Sequence, residues 1–185
     1  MDKTALRKHY IARRAELSEE EIESKSLAIA NQALKMPIWD RTYYHIFLSI
    51  SEKKEINTEY LLHVLQGKDK NICVPVMKKN NELKHILLQD STRIKIGAFG
   101  VPEPVDGIAI PVKNIQVVFV PLLAYDKNGS RTGYGKGFYD NFLSQTNADT
   151  LFVGLSFFEP EDNIPTEAHD VPLDYCITPT KVYTF

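Results

Sequence analysis

The sequence predicts an α/β fold with a largely parallel central sheet, in one domain spanning residues 1–185. Three observations carry that prediction. The run 116–122, QVVFVPL, is apolar without polar alternation, which suits a strand covered on both faces, as in a parallel sheet. Segments of strand composition alternate along the chain with segments of helical pattern. A glycine-rich segment then stands between that apolar strand and a short helical pattern, which is where open α/β sheets bind ligands. No internal repeat and no linker-like stretch divides the chain.

Each element has its own signal. Residues 2–17 carry Leu6, Tyr10 and Leu17 at spacings that a helix gathers near one face, with Lys and Arg around them. Ser18-Glu19-Glu20-Glu21 fits a capping box, in which Ser18 accepts from the third helical amide and Glu21 reaches back. The helix it starts buries Ile22, Ile29 and Ala33 and is stopped by Pro37. Residues 42–49, TYYHIFLS, are aromatic and β-branched and predict a strand. Asn57-Thr58 caps a helix running to about Leu65, which Gly67 stops. Residues 71–77 predict a strand, and residues 83–88 another beyond a turn at Asn80-Asn81. The stretch 97–114 holds three proline-containing turns and reads as irregular. After 116–122 come the glycine-rich loop, a helix near 138–145 and a strand at 151–156. Cys176 lies in a last strand-like run, DYCIT.

Composition narrows the function classes. Twenty-two Lys+Arg against twenty-four Asp+Glu leave a net charge of −2, which gives no general reason to bind nucleic acid or an anionic membrane. There is no run of 18 apolar residues, so no membrane span is expected. The N-terminal stretch MDKTALRKHYIARRAEL is charged throughout and does not read as a signal peptide. Cys73 and Cys176 form no CxxC pair and read as reduced, buried small hydrophobes. These features predict a cytoplasmic protein. The lack of a heptad pattern or an apolar surface helix predicts a monomer.

The segment Val120–Leu143 carries the chemistry. Gly129, Gly133, Gly135 and Gly137 fall within nine residues, beside Lys127, Arg131 and Lys136. Glycines admit close backbone approach and positive φ, and successive free N–H groups make a concavity for anions. A helix starting near Phe138 would turn its unsatisfied N–H groups to the same spot. Arg131 offers a bidentate contact and Lys136 a mobile charge. Asp140 falls in the first turn, where it either stabilises the helix start or faces a divalent ion. The segment matches neither GxGxxG nor GxxxxGK[ST], so a plain turn and a phosphate cradle both remain open on the glycines alone.

Residues 129–140, Gly-Ser-Arg-Thr-Gly-Tyr-Gly-Lys-Gly-Phe-Tyr-Asp, resemble the pattern G-x-R-x-G-x-G-x-G-[FY]-Y-D of the 5-formyltetrahydrofolate cyclo-ligase (methenyltetrahydrofolate synthetase) family. The rest of the chain agrees in order. Lys3 and Arg7 stand for the family's K-x-x-x-R, and Glu55-Ile56-Asn57-Thr58 for its E-[IV]-x-T. Residues 99–104, Phe-Gly-Val-Pro-Glu-Pro, stand for its fGIxEP turn. His169-Asp170 and Leu173-Asp174 look like its closing segment. Lys136 and Phe138 depart from the residues most common in the family.

The resemblance implies a three-layer, Rossmann-like fold with a mostly parallel central sheet and helices on both faces. It implies an ATP- and Mg2+-dependent ligase that makes 5,10-methenyltetrahydrofolate from 5-formyltetrahydrofolate, its partners being small-molecule substrates. ATP would be held by Lys3, Arg7, Arg131, Gly133, Tyr134, Gly135, Lys136 and Gly137. Arg131, Lys136 and Tyr139 would act at the reacting centre. Glu55 and Tyr139 would hold the folate. Asp140 and Asp174 would bind Mg2+, with Asp170 the alternative to Asp174. Phe47 and Phe99 either face the pterin or are plain core. Two other readings stay open: a ligase or kinase with another acceptor on the same scaffold, and a noncatalytic folate- or nucleotide-binding protein.

Overall fold

The computed structural model describes residues 1–185. Along the chain run α1 (Lys3–Ala15), α2 (Glu19–Ala33), β1 (Tyr43–His45), α3 (Glu59–Gly67), β2 (Asn71–Met77) and β3 (Leu83–Leu87). Next come β4 (Ile94–Ile96), β5 (Pro102–Pro104), β6 (Val117–Val120), β7 (Ala124–Tyr125), β8 (Arg131–Thr132) and α4 (Phe138–Leu143). The chain closes with β9 (Leu151–Leu155), β10 (Tyr175–Ile177) and β11 (Val182–Thr184). Seven strands make the central sheet, in the order β11-β10-β9-β6-β1-β2-β3. The five inner strands are parallel, and β3 and β11 close the two edges antiparallel. From β1 the chain builds outward to β2 and β3, then returns to lay β6 on the other side of β1. The sheet therefore changes direction between β1 and β6, and the crevice beyond their carboxyl ends is a topological switch point.

Alternation along the strands builds two cores. Ile72 and Val74, Val117 and Phe119, and Val153 face α2 and α3, where Ile22, Ile29, Ala33, Leu61 and Leu65 complete one cluster. Cys73, Val118, Val120 and Cys176 face the other way, against Phe142 and Leu143 of α4. Each fully buried aliphatic chain of this kind contributes about 1.5–3 kcal/mol. The helices thus lie on both faces, although α4 is six residues long and irregular chain covers much of its side. In the second core, His45 and His85 stack edge-to-face at 5.0 Å beneath α4. Burial holds both imidazoles neutral, with the His85 pKa lowered to about 4.

Helix α1 lies elsewhere. Its Leu6 and Tyr10 pack on Leu123, Ala124 and Ile164, at the end of the sheet rather than on a face. This placement carries Lys3, Arg7 and Arg14 to the carboxyl ends of the strands.

Several boundaries differ from the sequence expectation, each for a local reason. The capping box forms, with Ser18 accepting from Glu21 N–H and Glu21 accepting from Ser18 N–H, but α2 ends at Ala33, ahead of Pro37. Strand β1 stops at His45, where the chain turns to line the crevice. At α3 the Asn57 side chain accepts from Glu59 N–H, while the Thr58 hydroxyl donates to Phe47 carbonyl at 2.8 Å. The stretch expected to be irregular contains β5, paired with β4. Two prolines are tolerated there because a two-stranded ribbon leaves one side of each strand unpaired.

Candidate active site

A cleft of about 340 Å3 opens at the switch point. Phe47, Leu48 and Ile50 line it beyond β1, Met77 at the end of β2, and Pro121 beyond β6. The glycine-rich segment and α1 close the remaining sides.

The segment is more structured than a loop. Buried Asp126 accepts from Asn128 N–H at 2.9 Å and Ser130 N–H at 3.0 Å, and its other oxygen accepts from Ile164 N–H at 2.8 Å. That Asx turn closes the β7–β8 hairpin and returns Arg131 to the cleft. Beyond β8, Gly135 has φ +90°, and a Cβ there would meet Arg7 Cζ at 2.9 Å. Arg7 in turn donates from Nε to the Gly133 carbonyl at 2.9 Å. No backbone N–H from Gly133 to Asp140 donates to another group of the protein. A run of unspent donors curled over a cleft is an anion-binding concavity.

Two of the cations beside it are paired with carboxylates. Lys3 Nζ lies 2.5 Å from Asp170 Oδ2, and Arg131 Nη2 lies 2.7 Å from Asp140 Oδ1. Burial alone would raise the Asp170 carboxyl. The bonds from Lys3 and Glu167 N–H, with the charges of Lys3 and His169, outweigh it and hold the group below the usual carboxylate range. Ligating atoms of Asp140, His169 and Asp170 all fall within 4.8 Å of one another. Lys136 Nζ rests 4.3 Å over the Phe99 ring.

The opposite wall is built around Glu55, which is 7% exposed. One carboxylate oxygen accepts from Ile50 N–H at 2.9 Å and the other from the Tyr134 hydroxyl at 2.9 Å. Burial raises the Glu55 carboxyl, against the opposing pull of those donors and of the charges on Arg14 and Lys53. The Tyr139 hydroxyl is buried with no partner, and burial pushes its ionisation far up. Phe47 and Phe99 both line the cleft, Phe47 buried and Phe99 at 43% exposure.

Lys3, Arg7, Glu55, Arg131, Gly133, Tyr134, Gly135, Lys136, Gly137, Tyr139 and Asp140 therefore converge on one cleft. Asp174 does not join them. It precedes β10 and so sits at the amino end of the parallel strands, where its carboxylate accepts from Phe152 N–H at 2.8 Å. Asp170 takes the place beside Asp140. Sequence reasoning passed over Lys53 and Arg14, and left His169 out of the site because a neighbouring pair with Asp170 does not by itself make one. Arg14 had a readable signal, since spacings of four and seven put Lys3, Arg7 and Arg14 on one helical face. Lys53 ends a single 3-10 turn and His169 sits in irregular chain, where no periodicity assigns direction.

Comparison with known proteins follows the same lines. A model of the 5-formyltetrahydrofolate cyclo-ligase family matches residues 1–179. The chain is 34% identical over 168 residues to the 5-formyltetrahydrofolate cyclo-ligase of Haemophilus influenzae, covering 86% of this chain and 88% of that protein. It is 28% identical over 183 residues to the probable 5-formyltetrahydrofolate cyclo-ligase of Schizosaccharomyces pombe, covering 90% and 89%. Among solved structures, the Aquifex aeolicus 5,10-methenyltetrahydrofolate synthetase superposes with a TM-score of 0.82 at 28% identity, over 100% of this chain and 93% of that one.

Proposed function

The chain belongs to the 5-formyltetrahydrofolate cyclo-ligase family, and we propose that it converts 5-formyltetrahydrofolate to 5,10-methenyltetrahydrofolate in this cleft, with ATP going to ADP and phosphate. The observation that carries the site assignment is a juxtaposition. A wall of unspent amides and cations faces a wall holding a buried carboxylate across one cleft.

The chemistry needs that arrangement. A formamide carbonyl is a weak electrophile, and its oxygen leaves poorly. When the formyl oxygen attacks the γ-phosphoryl group, ADP departs and the oxygen becomes part of a phosphate ester. N10 of the same molecule then attacks the formyl carbon, phosphate leaves with the former formyl oxygen, and N10 gives up its proton. The ring closure is intramolecular, with an effective molarity on the order of 10⁵ M or more. No protein nucleophile is required. The protein's tasks are to hold two substrates in line and to balance charge on the transferring group.

On this reading the amides of Gly133, Tyr134, Gly135, Lys136 and Gly137 cradle the triphosphate, and Lys3, Arg7, Arg131 and Lys136 offset its charge. Glu55 accepts N–H groups from the pterin edge. Tyr139 stands between the two walls with its hydroxyl free to donate to a substrate oxygen. The donor set beside α4 fits Mg2+, since Asp140 and Asp170 supply oxygen atoms close together. These two carboxylates would hold the ion, which when bound offsets phosphate charge. One domain carries both substrates, and the protein works as a monomer in the cytoplasm. No helix is long and apolar enough to cross a membrane.

The test is spectrophotometric. Purified protein, 5-formyltetrahydrofolate and MgATP should give the absorbance of the methenyl product, and omission of ATP or Mg2+ should abolish the rise. No rise, with ATP binding intact by calorimetry, would overturn the folate assignment and redirect the search to other acceptors.

A further inference from the structure

Tyr134 belongs to the glycine-rich segment by its backbone and to the Glu55 pocket by its hydroxyl. Behind it stands Arg14, buried at 6% exposure on α1. Arg14 Nη2 donates to the Tyr134 hydroxyl and to the Lys53 carbonyl, the latter at 2.7 Å. Arg14 is not among the residues lining the cleft; its hydrogen bonds go to these two partners, and its charge acts on Glu55. Its Nε is buried without a partner. Burying a guanidinium with an unspent donor is costly, so packing alone is a poor account of it.

The chemistry of the donors gives the chain a direction. A guanidinium has donors and no acceptor. Arg14 therefore occupies a lone pair of the Tyr134 oxygen, and the single phenolic proton is left for Glu55. Lys53 Nζ lies 4.3 Å over the Tyr134 ring and adds a cation–π contact to it. Each Glu55 oxygen then has one protein donor, from Ile50 N–H or Tyr134, and keeps a lone pair for a ligand.

We propose that Arg14 and Tyr134 are positioning residues for the folate step, a directed relay that fixes the Glu55 carboxylate in its ligand-accepting orientation. The proposal rests on the assignment of Glu55 to the folate. The groups facing Glu55 are Arg14 from α1, Lys53 from the chain beyond β1, Tyr134 from the glycine-rich segment and Tyr139 from α4. Of these, Arg14, Lys53 and the Tyr134 hydroxyl favour its ionised form. Cutting the relay removes part of that support, so the carboxyl titrates at higher pH and folate binding fails earlier on the acid side.

Tyr134→Phe deletes one oxygen and keeps the ring. It should raise KM for 5-formyltetrahydrofolate about tenfold, with KM for ATP little changed. The acid limb of kcat/KM for the folate should move to higher pH. Arg14→Met should act in the same direction, Arg14→Lys should recover part of the loss, and the double variant should be no worse than the poorer single. An unchanged folate KM in folded Tyr134→Phe would overturn the proposal. Equal rises in both KM values with an unmoved acid limb would also overturn it, because they mark a merely structural role. If Arg14→Met does not fold, Tyr134→Phe carries the test alone. If the wild type makes no methenyl product, the functional reading fails separately, and calorimetric folate affinity of wild type against Tyr134→Phe still decides the relay.

Discussion

The two walls of the cleft solve opposite problems. On the glycine-rich wall the backbone donors from Gly133 to Asp140 have no protein acceptor, and Lys3 and Arg131 are held by carboxylates that a charged ligand can compete for. On the Glu55 wall both carboxylate oxygens and the Tyr134 hydroxyl are already matched within the protein. On the proposed reading, the first wall changes partners as charge moves during phosphoryl transfer. The second is built to stay still and present an acceptor. Substitutions on the first should therefore strike turnover, and substitutions on the second should strike ground-state binding of one substrate.

The largest expected effect is at Arg131. Arg131→Ala removes the buried guanidinium proposed to offset charge on the transferring group, and leaves Asp140 without its cation. The expected outcome is a loss of kcat of about 10³-fold or more, with a native circular-dichroism spectrum. Near-normal turnover in that variant would break the contrast between the walls. Glu55→Ala comes next. It should raise KM for 5-formyltetrahydrofolate by about 10- to 100-fold and leave KM for ATP nearly unchanged, read by steady-state kinetics in each substrate. Gly135→Ala should be milder. Its φ of +90° and the 2.9 Å approach to Arg7 make any side chain strained. A cost of about 1–2 kcal/mol should appear as a roughly tenfold rise in KM for ATP with folate KM untouched. A rise in both would show the walls to be coupled through the backbone.

Legibility followed the physics of each element. The apolar run at β6 and the capping box at Ser18 are local signals, and both elements formed where local chemistry placed them. The glycine-rich wall was readable because its residues are contiguous and its glycines carry positive φ at Gly135 and Gly137. The β7–β8 hairpin inside it was not, because its strands are two residues each and carry no alternation, although the Asx turn that closes it is local. The β4–β5 ribbon was hidden by prolines that usually mark turns. The relay behind Glu55 joins Arg14, Lys53, Glu55 and Tyr134 across three separate stretches of chain. The switch between β1 and β6 brings Lys53 and Glu55 beside Tyr134, and the packing of α1 on Leu123, Ala124 and Ile164 brings in Arg14.

Asp170 and Asp174 test how far position on the sheet decides function. They lie four residues apart, and the motif alone does not separate them. The chain between them runs from the cleft to the amino end of β10, so one faces the glycine-rich wall and the other caps a strand start. Asp170 is tied to Lys3 and lies beside Asp140 and His169. Asp174 holds a backbone amide of β9. Asp170→Ala should therefore raise the Mg2+ concentration for half-maximal rate by roughly tenfold or more. Asp174→Ala should lower stability by about 1 kcal/mol through the unpaired Phe152 N–H, seen as a lower Tm, with Mg2+ dependence unmoved. The opposite pattern would place the metal at the wrong end of the sheet. In an open α/β sheet the ligand crevice lies outside the carboxyl ends of the strands, at the switch point, and Asp170 is the one of the two carboxylates on that side.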